Sequence, residues 1–113
     1  MSKKIKLPSA EEIFDHWTAT PNVIFDILMP IMDSATFKVL MVFVRQLYGF
    51  HKDEDYIAIT QIVQKTGLSP HTVSEHLDRL KKSNIILITR EPNRRNKRCT
   101  RYRLNTELLI SIE

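Results

Sequence analysis

The stretch from Thr60 to Asn84, TQIVQKTGLSPHTVSEHLDRLKKSN, restricts the fold more than any other part of the chain. Thr60 can cap a helix carrying Ile62 and Val63, and Gly67 supplies a tight turn that Leu68 plugs. Ser69 then caps a second helix, with Pro70 at its first position, where the missing N–H costs nothing. In that helix Val73, Leu77 and Leu80 are spaced by four and three and form one narrow apolar stripe. The opposite side presents His71, Glu75, Asp78 and Lys82, with Thr72 and Arg79 flanking. Two short helices meeting at a glycine turn form a helix-turn-helix; the bland alternative for the second is an ordinary surface helix. His76, on the flank of the stripe, reads as a packed or surface imidazole, not a ligand.

What surrounds this unit completes the pattern. Asn84 can take a left-handed turn, Ile85 to Thr89 is β-rich, and Arg101-Tyr102-Arg103-Leu104 returns as a strand with Tyr102 and Leu104 facing one way and the arginines the other. Between them EPNRRNKRC is the charged tip of a β-hairpin. Upstream, Asp33 or Ser34 caps a helix over 35–48, where Phe37, Leu40, Met41, Val44, Leu47 and Tyr48 recur at helical spacing. Val39, Val42 and Phe43 make it apolar on further faces, so it is expected at the centre, with Gly49 ending it at positive φ. HKDED reads as an exposed turn and Tyr56 to Ile59 as a short strand. Nearer the N-terminus, Asn22 can cap a short helix through Leu28 that Pro30 stops. Before it, Ser9 and Glu12 have capping-box spacing, with Ile13, Phe14 and a packing anchor in Trp17.

The expected fold class is therefore α+β, mainly α: a winged helix-turn-helix with additional N-terminal helices. Residues 1–19 form an N-terminal tail and short helix, 20–105 the winged helix-turn-helix, and 106–113 a C-terminal tail. At 113 residues, one compact domain is expected.

Charge is distributed unevenly. Residues 79–103 hold ten bases and one acid, for +9, while the rest of the chain carries seven bases against twelve acids. Such a cationic patch raises the local concentration of polyanions, whether nucleic acid or an anionic surface; a solvated basic loop is the plain alternative. The single cysteine, Cys99, excludes an intramolecular disulfide and a cysteine-based zinc site, and it has no catalytic partner nearby. The longest apolar run, Val39 to Val44, is far short of a membrane span, so a cytoplasmic location is expected. His16 and His51 have no partner at metal-binding spacing, and no P-loop or nucleophile elbow occurs. The expectation is a protein that is not an enzyme and takes no cofactor or metal.

TPNVIFDILMP, FKVLMVFVRQLYGF, TGLSPHTVSEHLDRL and the closing TRYRLN, between Thr20 and Asn105, resemble the N-terminal DNA-binding domain of phage replication initiators of the replication protein O type. The run is also similar to the winged-helix domain of related replisome organisers. The resemblance implies double-stranded DNA as partner, bound at repeats in a replication origin, usually by a homodimer, through a recognition helix aided by the wing. Initiators of this kind recruit the helicase through a further C-terminal region. Only TELLISIE follows Asn105, so helicase contact is not assigned to this chain. Asn84 stands where many winged helices have glycine.

The expected recognition-helix site comprises Ser69, His71, Thr72, Glu75, Arg79 and Lys82. Ser69, His71 and Thr72, at the helix N-terminus, can hold phosphate; Glu75 can accept from cytosine N4 and Arg79 can fork onto guanine in the major groove. Glu75 and Asp78 repel phosphate, so general attraction falls to the wing: Arg90, Asn93, Arg94, Arg95, Lys97, Arg98, Arg101 and Arg103. Two rival readings share the fold: a transcriptional regulator bound at an operator, and a protein-interaction module with its basic hairpin on an acidic surface. Dimerisation can use the segment around Ile13, Phe14 and Trp17, which can equally fold back on the central helix.

Overall fold

A computed structural model describes residues 16–91 and 100–113 of the chain. The residue 1–8 tail, the Ser9–Glu12 capping box, Ile13 and Phe14 lie outside the described residues, as do Asn93, Arg94, Arg95, Lys97, Arg98 and Cys99. The fold is α+β and mainly α.

The first helical segment, α1, has widened turns over Ile24–Leu28 and is α-helical over Met29–Ile31. It runs three residues past the stop expected at Leu28, straight through Pro30. A proline ring presses on the carbonyl four residues back in a regular helix. Here the Met29 N–H donates to Ile24 O, five residues back, and the wider turn just before Pro30 makes room for it. Val23, Ile24 and Leu28 are buried, while Phe25, Ile27 and Ile31 face outward.

Helix α2, Ser34–Leu47, is the centre of the molecule, as its all-round apolar sequence requires. Val39, Leu40, Phe43, Val44 and Leu47 are all but inaccessible. A tight turn, Tyr48–Phe50, follows, and the left-handed position is taken by His51 (φ 55°), not by Gly49. At Gly49 itself a Cβ would sit 2.6 Å from Arg45 Nη1 and 3.0 Å from Thr18 Oγ1, so a side chain there would have to displace those two. Trp17 is 67% exposed and is not the packing anchor its size suggests.

Strand β1 is only Asp55–Tyr56, and Ile59, read as its end, instead opens helix α3, Ile59–Thr66. Ala58 occupies the cap position, so Thr60 lies inside the first turn and does not cap it. Gly67 (φ 74°) closes α3, and Ser69 begins α4, Pro70–Lys82. Asn84 adopts φ 61° and turns the chain into β2, Ile86–Arg90. Strand β3, Arg101–Leu104, is the middle strand of an antiparallel sheet in the order β1-β3-β2. Ile86 pairs with Leu104 and Ile88 with Tyr102, and a bulge at Thr89 brings Arg90 opposite Arg101. The sheet's inner face meets α2 where the Tyr102 ring stands edge-on to Phe43, with centroids 5.2 Å apart.

Beyond Asn105, where no element is expected, the chain forms helix α5, Thr106–Ser111. Asn105 caps it, accepting from Leu108 N at 3.2 Å, while its amide donates to Asn84 O at 2.8 Å. Leu109 is buried in the common core, and Tyr48 Oη lies 2.9 Å from Thr106 Oγ1. The cap followed by Glu107, Leu108 and Leu109 is the sequence signal for this helix. Among the described residues, no helix is long and apolar enough to cross a membrane.

Candidate nucleic-acid interface

Helix α4 divides cleanly by face. Val73, Leu77 and Leu80 are buried against the core, as their spacing requires. His76, which lies beside them, is also buried at 7% exposure. Its Nδ1 lies 2.8 Å from Thr36 Oγ1, itself buried on α2, and 3.3 Å from Asp33 Oδ2. The imidazole thus ties α4 to the first turn of α2 through polar contacts. Asp33, at the N-cap of α2, makes no side-chain cap hydrogen bond.

The outward face begins at Ser69. Its Oγ accepts from Thr72 N at 3.2 Å and donates to Thr72 Oγ1 at 2.8 Å, so both hydroxyls are already engaged in starting the helix. His71 is exposed in the first turn. Further along, Arg79 Nη2 pairs with Glu75 Oε1 at 3.3 Å and Lys82 Nζ with Asp78 Oδ2 at 2.9 Å, each one helical turn apart. The hydrogen bond from Lys82, with the Lys82 and Lys81 charges behind it, holds the Asp78 carboxyl below its ordinary range despite an opposing effect of desolvation. The face is therefore rich in hydrogen-bonding groups yet close to electrically neutral. Its two cations are held by neighbouring acids.

The strand arginines are also partnered. Arg101 stacks over the Tyr56 ring, 5.0 Å from its centroid, and its Nε lies 3.0 Å from Glu54 Oε1. The alignment of that Nε is not that of a hydrogen bond, so the contact is one of charge. Arg103 Nη1 donates to Glu107 Oε2 at 3.3 Å. The Glu107 carboxyl is held below its usual range by its own backbone N–H first and Arg103 second. Arg90 is exposed at the end of β2, without an acidic partner among the described residues. Glu54, Tyr56 and Glu107 were not among the expected site residues; Tyr56, in register with Arg101, is the one that strand alternation could have located.

The fold thus gathers Ser69, His71, Thr72, Glu75, Arg79 and Lys82 on one helix and sets Arg90, Arg101 and Arg103 on the sheet that follows. A family model described as bacteriophage replication protein O matches residues 10–102. The chain belongs to the bacteriophage replication protein O family. The match takes in the helix-turn-helix, both hairpin strands up to Tyr102 and the basic segment between them. Membership places this replication protein O relative in phage DNA replication. No match to a curated protein or to a solved structure was found.

Proposed function

We propose that the chain binds double-stranded DNA sequence-specifically, at repeats in a phage replication origin, as a winged-helix module. Helix α4 enters the major groove and the β2–β3 hairpin supplies general attraction. The observation that carries this reading is the design of α4. Its inner stripe is fixed in the core, His76 included, while its outer face offers donors and acceptors with little net charge. Such a surface suits reading of base edges better than nonspecific adhesion to phosphate. The complementary attraction resides in the hairpin, residues 90–103, where seven bases meet one acid. Family membership favours an origin over an operator as the target.

The mechanism is docking without covalent chemistry. Ser69, His71 and Thr72 lie where a helix N-terminus approaches phosphate, and Glu75 and Arg79 are set to meet bases. Arg79 must exchange its contact with Glu75 for one with DNA. Arg94, Arg95, Lys97 and Arg98, with Asn93 and Arg90, grip the backbone or the minor groove. A homodimer on paired repeats is part of the proposal.

Footprinting on a site selected from random duplexes tests the division of labour. Neutral replacements at Arg94, Arg95 and Arg98 are expected to weaken binding to all sequences alike. Changes at Thr72, Glu75 or Arg79 are expected to alter which sequence is protected. Uniform weakening by both sets would reject α4 as the reading element.

A further inference from the structure

A trough of about 490 Å³ opens between α2 and α3, and none of the residues proposed to meet DNA lines it. Its apolar part is Phe37, Met41 and Val42 on α2, of which Phe37 and Met41 are half-buried with one side against the core. Lys38 and Arg45, two turns apart on α2, and Lys65 near the end of α3 stand exposed around it.

These cations differ from most others in the molecule. Lys52, Arg79, Lys82, Arg101 and Arg103 each lie against a carboxylate. The described lysines and arginines that do not are Lys38, Arg45, Lys65, Lys81 and Arg90, and the first three meet at this trough. Among the described residues no carboxylate lines it. Arg45 stacks over Phe50 at 4.4 Å and also borders a second cavity, of about 290 Å³, shared with Trp17. Trp17 and Phe50 are 67% and 52% exposed, so apolar ground continues past Arg45.

An occupant has to satisfy both features. A phosphate backbone would meet the cations but gain nothing from Phe37, Met41, Trp17 or Phe50. A purely apolar segment would take three cations out of water without partners. A segment with large apolar side chains on one stripe and acids on its flanks meets both demands. From Phe37 to Arg45 the trough runs roughly 12 Å at helical rise, about two turns of a helix laid in a groove.

We infer that the α2–α3 trough binds an acidic amphipathic helix of another protein, its apolar stripe on Phe37, Met41 and Val42 and its acids paired with Lys38, Arg45 and Lys65. Trp17 and Phe50 extend the contact past Arg45. None of these residues is among those proposed to meet DNA, so one molecule can hold this partner and a duplex together.

The probe is a labelled synthetic helix of about four turns, with Leu and Phe on one stripe and Glu on both flanks, titrated into the full chain and followed by fluorescence anisotropy. Binding at roughly micromolar concentration is expected, with the methyl NMR signals of Met41 and Val42 shifting as it saturates. Combining Lys38→Glu with Lys65→Glu should weaken it by roughly tenfold or more, and the same variant should bind a duplex as the parent does. A probe with Lys in place of every Glu should prefer that variant to the parent, which misfolding would not produce. No binding of the acidic probe, or equal binding of a probe with Gln for Glu, would overturn the inference. So would loss of duplex binding in the Lys38→Glu, Lys65→Glu variant, which would make the trough a DNA contact, or a dimer in sedimentation that these substitutions dissolve, which would make it the seat of a second copy. A parent chain that binds the probe but no duplex would reject the DNA reading and still support this one.

Discussion

His76 shows how one side chain can be both core and link. It occupies a buried position on the inner side of α4, where an apolar residue would satisfy packing, yet its Nδ1 meets two polar side chains at the start of α2. Thr36 Oγ1 at 2.8 Å is the nearest, and it is buried too. Replacing Thr36 with valine keeps the shape and removes the hydroxyl, leaving the imidazole with Asp33 alone. Equilibrium denaturant unfolding should show a loss of about 1–3 kcal/mol, the cost of a buried polar group deprived of its partner. Unchanged stability would mean that the contact contributes nothing. At this scale the sequence is most legible where conformation is local. Gly67, Ser69, Pro70 and Asn84 behave as their chemistry dictates, since a left-handed turn or a helix cap is decided within a few residues. Gly49 is legible only as a break: His51, two residues on, takes the left-handed position, and a Cβ at 49 would meet the Arg45 and Thr18 side chains. Trp17 fails as an anchor because size does not fix what a side chain packs against.

Among the elements, α4 is the clearest in the sequence and β1 the least. The spacing of Val73, Leu77 and Leu80 determines a buried stripe without help from tertiary structure. Two-residue β1 carries no periodicity, and Ile59 continues its alternation while belonging to α3. The acids that hold the candidate site's cations were only half legible. Glu75–Arg79 and Asp78–Lys82 follow from helical spacing, but Glu54 reaches Arg101 only because β1 lies beside β3. The internal pairing of α4 has a consequence for binding. A Glu75→Gln variant releases Arg79 and removes a charge that repels phosphate, so its affinity for an unrelated duplex should rise, by about threefold to tenfold at low salt. Fluorescence anisotropy against selected and unrelated duplexes would show the gap between them narrowing. If affinity for the unrelated duplex does not change, Glu75 does not restrain Arg79.

For the whole molecule, charge bears on acid sensitivity and on the proposed contact with DNA. Asp78 and Glu107 have carboxyl groups held below their ordinary range by Lys82 and by the Glu107 backbone N–H with Arg103. Carboxyl groups depressed in the folded state stabilise it fully above the unfolded carboxylate range, and that contribution is lost as pH falls through the folded values. Thermal melts should therefore show a falling midpoint below about pH 4, with a shallower fall when Asp78→Asn and Glu107→Gln are combined. Equal pH profiles would deny these pairs a part in acid sensitivity. Most of the architecture was readable as an element order: helices around a central apolar one, a helix-turn-helix, then a charged hairpin. What escaped was the C-terminal helix α5, whose cap Asn105 also fastens the turn at Asn84 across the sheet. The central claim concerns the cationic segment and duplex DNA. It is tested most directly by measuring affinity for a selected duplex across a salt series. If about five basic groups meet phosphates, log affinity should fall against log salt with a slope of roughly −4 to −5, and Gln at Arg94, Arg95 and Arg98 together should flatten it by roughly 3. A duplex that is not retained at low ionic strength, or a slope indifferent to those three arginines, would contradict the account.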